Sequence, residues 1–376
     1  MKAISKILTA ALLFVLVFVG TVFVGTSLLP TVNKIDTAVV TTDKYSEWMK
    51  SMVRIMIVLP DGERIIAGSG WILTKDGVIV TNCHVIREAM QGSIKEIRVV
   101  FYDGTYTTAV KVLGGDPEGD VGLLGVTVKK ELREMPLRDS STVKMGEDVF
   151  LLGNPLNEGL IVTHGIVANP FVTMQEFPFA YIETDGTINP GNSGGAMVDS
   201  NGNLIAMPSL LGPGRNGGNS YGFGITSNDI AWSILMIAKH VPLDRASLGI
   251  KIKPYVITNK DTGIISDAGA LVDDSISPLL IKGDIIIAIN DTKVTTSGAL
   301  HYVLGKILLG DHFTLTVLRN NATVVIPMIA APLKFPEIKI LPLESFKDKD
   351  KDKDKDKDHK DYRHHRRYHR LHKHYR

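Results

Sequence analysis

The chain has 376 residues, 44% of them hydrophobic and 22% charged, enough for two domains plus appendages and apolar enough to bury a core. Its net charge of +2 is uneven: from Lys347 to Arg376 there are 13 Lys/Arg against 7 Asp, so the remainder holds 29 basic and 33 acidic residues, which excludes a nucleic-acid footprint in the body. Cys83 is the single cysteine, which excludes an internal disulfide.

Residues 1–6 carry Lys2 and Lys6 ahead of "ILTAALLFVLVFVGTVFVGTSLL", a run of 23 residues from Ile7 to Leu29 without a charge. About 20 apolar residues in helical rise cross a bilayer core, and flanking lysines stay on the cytoplasmic side. The run reads as an uncleaved transmembrane anchor over 7–29, with a cytoplasmic N-terminus at 1–6 and the body outside the cytoplasm. A signal peptide cut at "VGT" near Thr26 is the alternative.

Residues 30–50 are polar and mixed, a linker. From 51 to 240 the pattern turns to short Val- and Ile-rich runs punctuated by Gly, Asn and Asp. Asp-Gly pairs at Asp61, Asp76 and Asp103 fall between such runs and signal hairpins. Many short strands with little helix indicate an all-β barrel or sandwich. Helical spacing then appears from Asp229 to Lys239, with Pro242 as its stop.

Residues 245–332 form a second, mixed unit: strand, loop, the strand "GDIIIAINDTKV", a helical stretch, then the hairpin "FTLTVLRNNATVVIPMI". In the helical stretch Leu300, Val303, Leu304, Ile307 and Leu308 share one face. The tail, 333–376, contains an alternating Lys-Asp run and six histidines from His359 to His374 among Arg and Tyr. Its Lys-Asp and His/Arg-rich part has almost nothing apolar to bury and is expected to be disordered. The histidine cluster would suit anionic surfaces, transition metals or protonation near pH 6.5, against the plainer role of a solubilising spacer. None of its spacings resembles a structural zinc site.

The stretch "TINPGNSGGAMVD", Thr187 to Asp199, sets one serine among glycines. A serine becomes a nucleophile only beside a base that a third group orients. Among the body's histidines, His84 ends the apolar strand of "IVTNCHVI", and Asp120 precedes an apolar strand in "GDVGLL". Singly, these are as well read as a core histidine, a turn acid and a solvated serine. Together His84, Asp120 and Ser193 run His, Asp, Ser over intervals of 36 and 73 residues on an all-β chain, the order found on double-barrel proteases and not on other triad folds.

These segments resemble the HtrA/Deg family of trypsin-like serine proteases. "GSGWILTKDGVIVTNCHVI" is similar to its histidine segment, "GDVGLL" to its aspartate segment, "LLGNPL" to its mid-barrel segment and "TDGTINPGNSGGAMVD" to its serine segment. "YGFGI", Tyr221 to Ile225, is similar to the strand on which substrate backbone pairs. The second unit resembles a PDZ domain, so the likeness runs from about Ser51 to Ala330. It implies a mainly β chain: a chymotrypsin-like double β-barrel protease domain followed by a small α+β PDZ domain.

The resemblance makes Ser193 the nucleophile, His84 the general base and Asp120 its orienting acid. Gly191 and Ser193 would supply oxyanion-hole amides, with Asn192 shaping the turn. Thr187, at the base of the primary pocket, is no carboxylate; with Ile188, Tyr221, Gly222 and Phe223 it implies a preference for small or medium aliphatic residues. Leu248, Gly249 and Ile250 resemble a PDZ carboxylate loop, where peptide C-termini add to a sheet edge, although a unit that merely packs on the protease would need no such loop. The family implies a serine endopeptidase for unfolded or damaged proteins, held to a membrane by its N-terminal helix, with a homotrimer as its common assembly, no nucleic-acid partner and no cofactor or metal. A membrane-tethered chaperone or scaffold, or a signalling protease triggered by C-terminal peptides, are the rival readings.

Three departures stand out: Cys83 before the histidine, read as a packed small hydrophobe; His164 in "VTHGIVAN", read as a surface or local structural residue; and the Gly-rich loop "MPSLLGPGRNGGNS" at 207–220, whose composition suggests a mobile site edge.

Overall fold

Alternation along the strands divides this chain between two barrel interiors and the seam that joins them. The computed structural model describes residues 43–331 apart from 64, 155–158, 176 and 212–220. The expected anchor at 7–29 and tail at 333–376 lie outside the described residues, as does most of the Gly-rich loop. Among the described residues no helix is long and apolar enough to cross a membrane.

A short helix, α1 (Lys44–Met49), is capped by Asp43, whose side chain accepts from Tyr45 N. After it come β1 (Met52–Val58), β2 (Ile65–Ile72), β3 (Val78–Thr81), one 3-10 turn (Cys83–Val85) and α2 (Arg87–Met90). Then follow β4 (Glu96–Phe101), β5 (Tyr106–Thr107), β6 (Val110–Asp116) and β7 (Val121–Val126). They pair antiparallel in the order β5-β4-β1-β2-β3-β7-β6. The three Asp-Gly turns join β1 to β2, β2 to β3 and β4 to β5, as the hairpin signal predicts. At the second, Gly77 has φ +106°, and a Cβ there would lie 2.5 Å from the Val126 carbonyl.

Next come β8 (Asp148–Gly153), β9 (Ile161–Thr173), β10 (Ala180–Thr184), β11 (Ala196–Val198), β12 (Leu204–Leu211) and β13 (Gly222–Thr226), which close a barrel in the order β10-β13-β12-β11-β8-β9. Side chains alternate across a strand, and here both faces are apolar. Val53, Ile55 and Ile57 of β1 fill the first barrel, while Met52 turns to the seam. In β8, Val149 and Leu151 fill the second barrel, and Phe150 and Leu152 meet the seam. Hence the near-continuous apolar runs, which strands buried on both faces require.

Thr226 caps α3 (Ser227–Ala238) by accepting from Asp229 N. The expected stop at Pro242 comes earlier. His240 takes φ +53°, its N–H donates to the Ile237 carbonyl and Val241 N–H to Met236, the paired bonds that end a helix through a left-handed residue.

The third sheet, with its own core, holds β14 (Ile250–Thr258), β15 (Ile265–Ser275), β16 (Ile285–Ile289), β17 (Thr292–Lys293), β18 (His312–Arg319) and β19 (Ala322–Ile329). Its order is β14-β15-β16-β18-β19, with β17 on β16, so β14 is an edge. The helix α4 (Ser297–Leu304) is capped by Thr296 and buries Leu300 and Leu304 in that core. Ile307 and Leu308, expected on the same face, fall beyond the helix, which ends at Gly305, although Ile307 still joins the core.

Candidate active site

His84 rides on the 3-10 turn that follows β3, and Asp120 sits in the turn between β6 and β7. The pairing of β3 with β7 brings these two ends together. His84 Nδ1 lies 2.9 Å from Asp120 Oδ2 and 3.1 Å from Oδ1, and His84 N–H donates to Oδ1 at 3.0 Å. A carboxylate only accepts, so Nδ1 carries the proton and Nε2 keeps its lone pair, the tautomer a general base needs. The ring side chain is 34% exposed, so a substrate can reach it.

Asp120 adopts φ +55°, a left-handed conformation that Asp tolerates better than most residues. Its carbonyl accepts from Asn82 Nδ2 (3.0 Å) and Cys83 N (3.3 Å), tying its turn to the histidine turn. Its Oδ2 also accepts from the Ser209 hydroxyl at 2.7 Å. Ser209 comes from β12, 89 residues away, and carries no local sequence signal of this role.

Ser193 lies in the loop between β10 and β11. Ser69, fully buried on β2, pins that loop twice: its N–H donates to the Ser193 carbonyl (3.0 Å) and its hydroxyl to the Gly191 carbonyl (2.7 Å). The Ser69 carbonyl accepts from Thr81 Oγ1 at 2.7 Å, three residues before His84. Gly194, at φ +78°, packs so closely that a Cβ would collide with Thr81 Oγ1 and the Ser69 carbonyl. The serine loop is thus anchored on β2 and packs against β3, the strand that leads to the histidine. Ser69 is another member that sequence reasoning missed, although it lies in the "GSG" of the histidine segment.

The amides around Ser193 alternate in their commitments. Asn192 N–H donates to Asn189 O (3.0 Å), Gly194 N–H to Pro208 O (3.2 Å) and Gly195 N–H to Asn192 O (2.8 Å). Gly191 N–H and Ser193 N–H have no acceptor among the described residues. Two unclaimed donors beside a serine suit a developing oxyanion. Asn192 is buried, its Nδ2 reaching the Thr187 carbonyl at 3.5 Å. Among the described residues neither Ser193 Oγ nor His84 Nε2 makes a hydrogen bond. Such links are often long in unliganded sites and tighten when substrate binds.

Of the pocket residues, Ile188 is 9% exposed and covers Gly222, where any Cβ would strike its side chain. Thr187 is exposed and its carbonyl accepts from Thr163 Oγ1 at 3.2 Å; Tyr221 is 40% exposed and Phe223 packs against the seam. One expectation changes. β13 pairs with β10 on one side and β12 on the other, so the Gly222–Thr226 strand has no free edge on which a substrate backbone could pair.

Cys83 is buried, its Sγ 3.6 Å from Met90 Sδ, and burial followed by the charges of Asp120 and Asp116 pushes its thiol up to about 12. It packs as a small apolar group and is no nucleophile at neutral pH. His164 stacks on Phe150 at 4.6 Å and its Nε2 meets Asp148 Oδ1 at 2.8 Å, on the surface. On the third sheet Leu248 is buried, Gly249 has φ +64° and its carbonyl accepts from Ile276 N at 3.0 Å, and Ile250 starts the edge strand β14. Leu248 and Ile250 share a core with Leu300, Val303 and Leu304 of α4. Among the described residues no three His, Cys, Asp or Glu side chains gather as a metal site.

Known proteins resemble this chain in sequence and in fold. The model of the trypsin-like peptidase domain matches residues 68–207. A similar protein is the chloroplastic Protease Do-like 1 of Arabidopsis thaliana, 32% identical over 278 residues, covering 68% of this chain and 61% of that protein. A probable periplasmic serine endoprotease, DegP-like, of Chlamydia trachomatis is 29% identical, covering 72% of this chain and 54% of its own. The chain thus spans just over half the length of these curated relatives. Among solved structures the HtrA-type protease AlgW with tripeptide superposes with a TM-score of 0.63 at 26% identity, covering 77% of this chain and 95% of that one.

Proposed function

Because the chain carries a trypsin-like peptidase domain of the HtrA/DegP kind, we propose that it is a serine endopeptidase acting outside the cytoplasm on unfolded or damaged proteins. Two observations support this reading: the His84–Asp120 hydrogen bond and the two unclaimed amides on the Ser193 loop. Ser193 Oγ attacks the scissile carbonyl and His84 Nε2 takes its proton. Gly191 and Ser193 N–H receive the oxyanion. His84 then gives its proton to the leaving amine, and water hydrolyses the acyl-enzyme by the same relay in reverse. Asp120 holds the ring and stabilises the imidazolium.

Ser209 serves that carboxylate. Removing its hydroxyl deletes one hydrogen bond to a charged acceptor, so Ser209→Ala is expected to lower kcat about tenfold with KM little changed, as steady-state kinetics on a peptide substrate would show.

In this reading Thr187 puts no carboxylate at the primary pocket and Ile188 packs over Gly222, so small or medium aliphatic side chains are preferred. We assign the third sheet a PDZ-type role: a peptide C-terminus adds as a strand along the free edge of β14, its carboxylate at Leu248–Ile250 and its side chain against α4. The 7–29 run would tether the enzyme to the membrane.

Cleavage of unfolded casein, mapped by mass spectrometry with and without added C-terminal peptides, tests this. Cuts after Val, Ala or Ile, faster with a binding peptide, are expected. Cuts mainly after Arg overturn the pocket, binding without cleavage identifies a chaperone or scaffold, and strict dependence on one peptide identifies a signalling protease.

A further inference from the structure

The two unclaimed amides beside Ser193 differ in what holds them. Ser193 N–H belongs to the Asn192–Ser193 peptide, whose carbonyl accepts from Gly195 N–H at 2.8 Å. The next peptide is fixed as well, with Ser193 O on Ser69 N–H (3.0 Å) and Gly194 N–H on Pro208 O (3.2 Å). Gly191 N–H belongs to the Pro190–Gly191 peptide. Among the described residues neither that N–H nor the Pro190 carbonyl makes a hydrogen bond. Gly191 itself takes φ +101°, a conformation that glycine enters freely because it has no Cβ. A donor carried by such a residue keeps its aim only if the peptide on its other side is clamped.

That peptide, Gly191–Asn192, is gripped at both ends. Its N–H donates to Asn189 O at 3.0 Å, and its carbonyl accepts from the Ser69 hydroxyl at 2.7 Å. A serine hydroxyl has one hydrogen to give. Ser69 Oγ accepts from Asn154 N–H at 2.8 Å, just past the end of β8, and both residues are completely buried. No water competes there, so the hydrogen is left to point at Gly191. The hydroxyl therefore links the second barrel's β8 to the peptide beside the oxyanion donor.

β2, which carries Ser69, is itself set against the histidine. The Ser69 carbonyl accepts from Thr81 Oγ1 at 2.7 Å, and a Cβ on Gly68 would lie 2.6 Å from Val85 Cγ1, next to His84. One strand thus faces the base and the serine loop together.

We infer that Ser69 is a positioning residue for oxyanion stabilisation: its hydroxyl, directed by Asn154 N–H, clamps the Gly191 carbonyl and so aims Gly191 N–H at the oxygen of the reacting carbonyl. This rests on the reading of Ser193 as nucleophile and of Gly191 and Ser193 N–H as the oxyanion donors. It does not act through Asp120 or His84, whose hydrogen bonds are separate.

The test uses the full chain with Ser69→Ala, Ser69→Cys and Ser51→Ala. Ser51 is the control: it is equally buried at 1% exposed, and its hydroxyl donates to the Glu134 carbonyl at 3.1 Å, away from the serine loop. Labelling of wild type at Ser193 by diisopropyl fluorophosphate comes first. If that fails, the nucleophile reading falls and this inference with it; once labelling is established, the variants test Ser69 alone. Ser69→Ala is expected to lose about 10- to 100-fold in kcat, less than the 10²–10³-fold typical of deleting an oxyanion donor outright. KM should stay within about twofold, since no substrate contact is removed. A peptide boronic acid, whose adduct with Ser193 places an oxygen where the oxyanion forms, should weaken by the same factor as kcat/KM. The infrared carbonyl stretch of a slowly deacylating acyl-enzyme should move to higher frequency as donation to it weakens. The downfield His84 Nδ1–H proton resonance should stay in place, and Ser51→Ala should keep wild-type kcat.

A folded Ser69→Ala with wild-type kcat and boronic acid affinity overturns the inference. So does an equal loss in Ser51→Ala, which would make general loosening the cause, or loss of the His84 resonance with boronic acid affinity intact, which would place the effect on the base. Should Ser69→Ala not fold, Ser69→Cys decides: the thiol keeps the shape but is a weak donor. Reduced kcat at unchanged KM with a raised carbonyl stretch supports the clamp, and wild-type kcat overturns it.

Discussion

Ser193→Ala is expected to lower casein hydrolysis by about 10⁶-fold in kcat, the loss typical when the nucleophile of such a triad is removed. Activity that remains would come from the amides and from binding, about 10³-fold over water. The fold should be untouched, because the Ser193 side chain makes no hydrogen bond among the described residues. The loop is held instead through its main chain, by Ser69 and by the packing of Gly194. A surface-type change of this kind shifts stability by about 0.5 kcal/mol or less. Thermal melting and casein turnover, measured on the same preparation, check both halves. Casein cleavage at the wild-type rate by this variant would end the assignment of Ser193.

Asp120→Asn is expected to cost about 10⁴-fold in kcat, because it disturbs the tautomer of the base and leaves its geometry intact. The carboxylate accepts from three donors: His84 N–H, His84 Nδ1–H and the Ser209 hydroxyl. An amide has one acceptor oxygen and one donor nitrogen. If its NH₂ faces the ring, Nδ1 becomes the acceptor, Nε2 keeps the proton, and no base remains for Ser193. The backbone should tolerate the change, since Asn is at home in the left-handed conformation that Asp120 adopts at φ +55°. Kinetics and circular dichroism separate the outcomes. A loss smaller than tenfold would show that the carboxylate is not what readies the histidine. A loss accompanied by unfolding would show that Asp120 serves the turn more than the ring.

Much of the architecture was legible in the residues because its causes are local. Asp-Gly pairs demand turns wherever they occur, and three of them join the strand pairs they were expected to join. The helix from Ser227 to Ala238 showed its apolar spacing, although its end did not. Pro242 was the visible stop, yet His240 closes the helix by adopting a left-handed conformation that a histidine does not advertise. Tyr221 to Ile225 resembles the family strand on which substrate backbone pairs, which requires a free edge. Whether a strand has a free edge depends on its neighbours, and β10 and β12 occupy both sides.

The chain by itself therefore determined the strands, the turns and the three separate segments bearing His84, Asp120 and Ser193, since alternation and backbone preference act over a few residues. Only the tertiary structure decided which ordinary side chains hold those segments in place. Ser69 reaches Gly191 across 122 residues, and Ser209 reaches Asp120 across 89. Nothing in the neighbourhood of a serine records which distant acceptor it will meet. That partner is chosen when burial removes water and leaves each polar group to find what the packed barrels bring within reach.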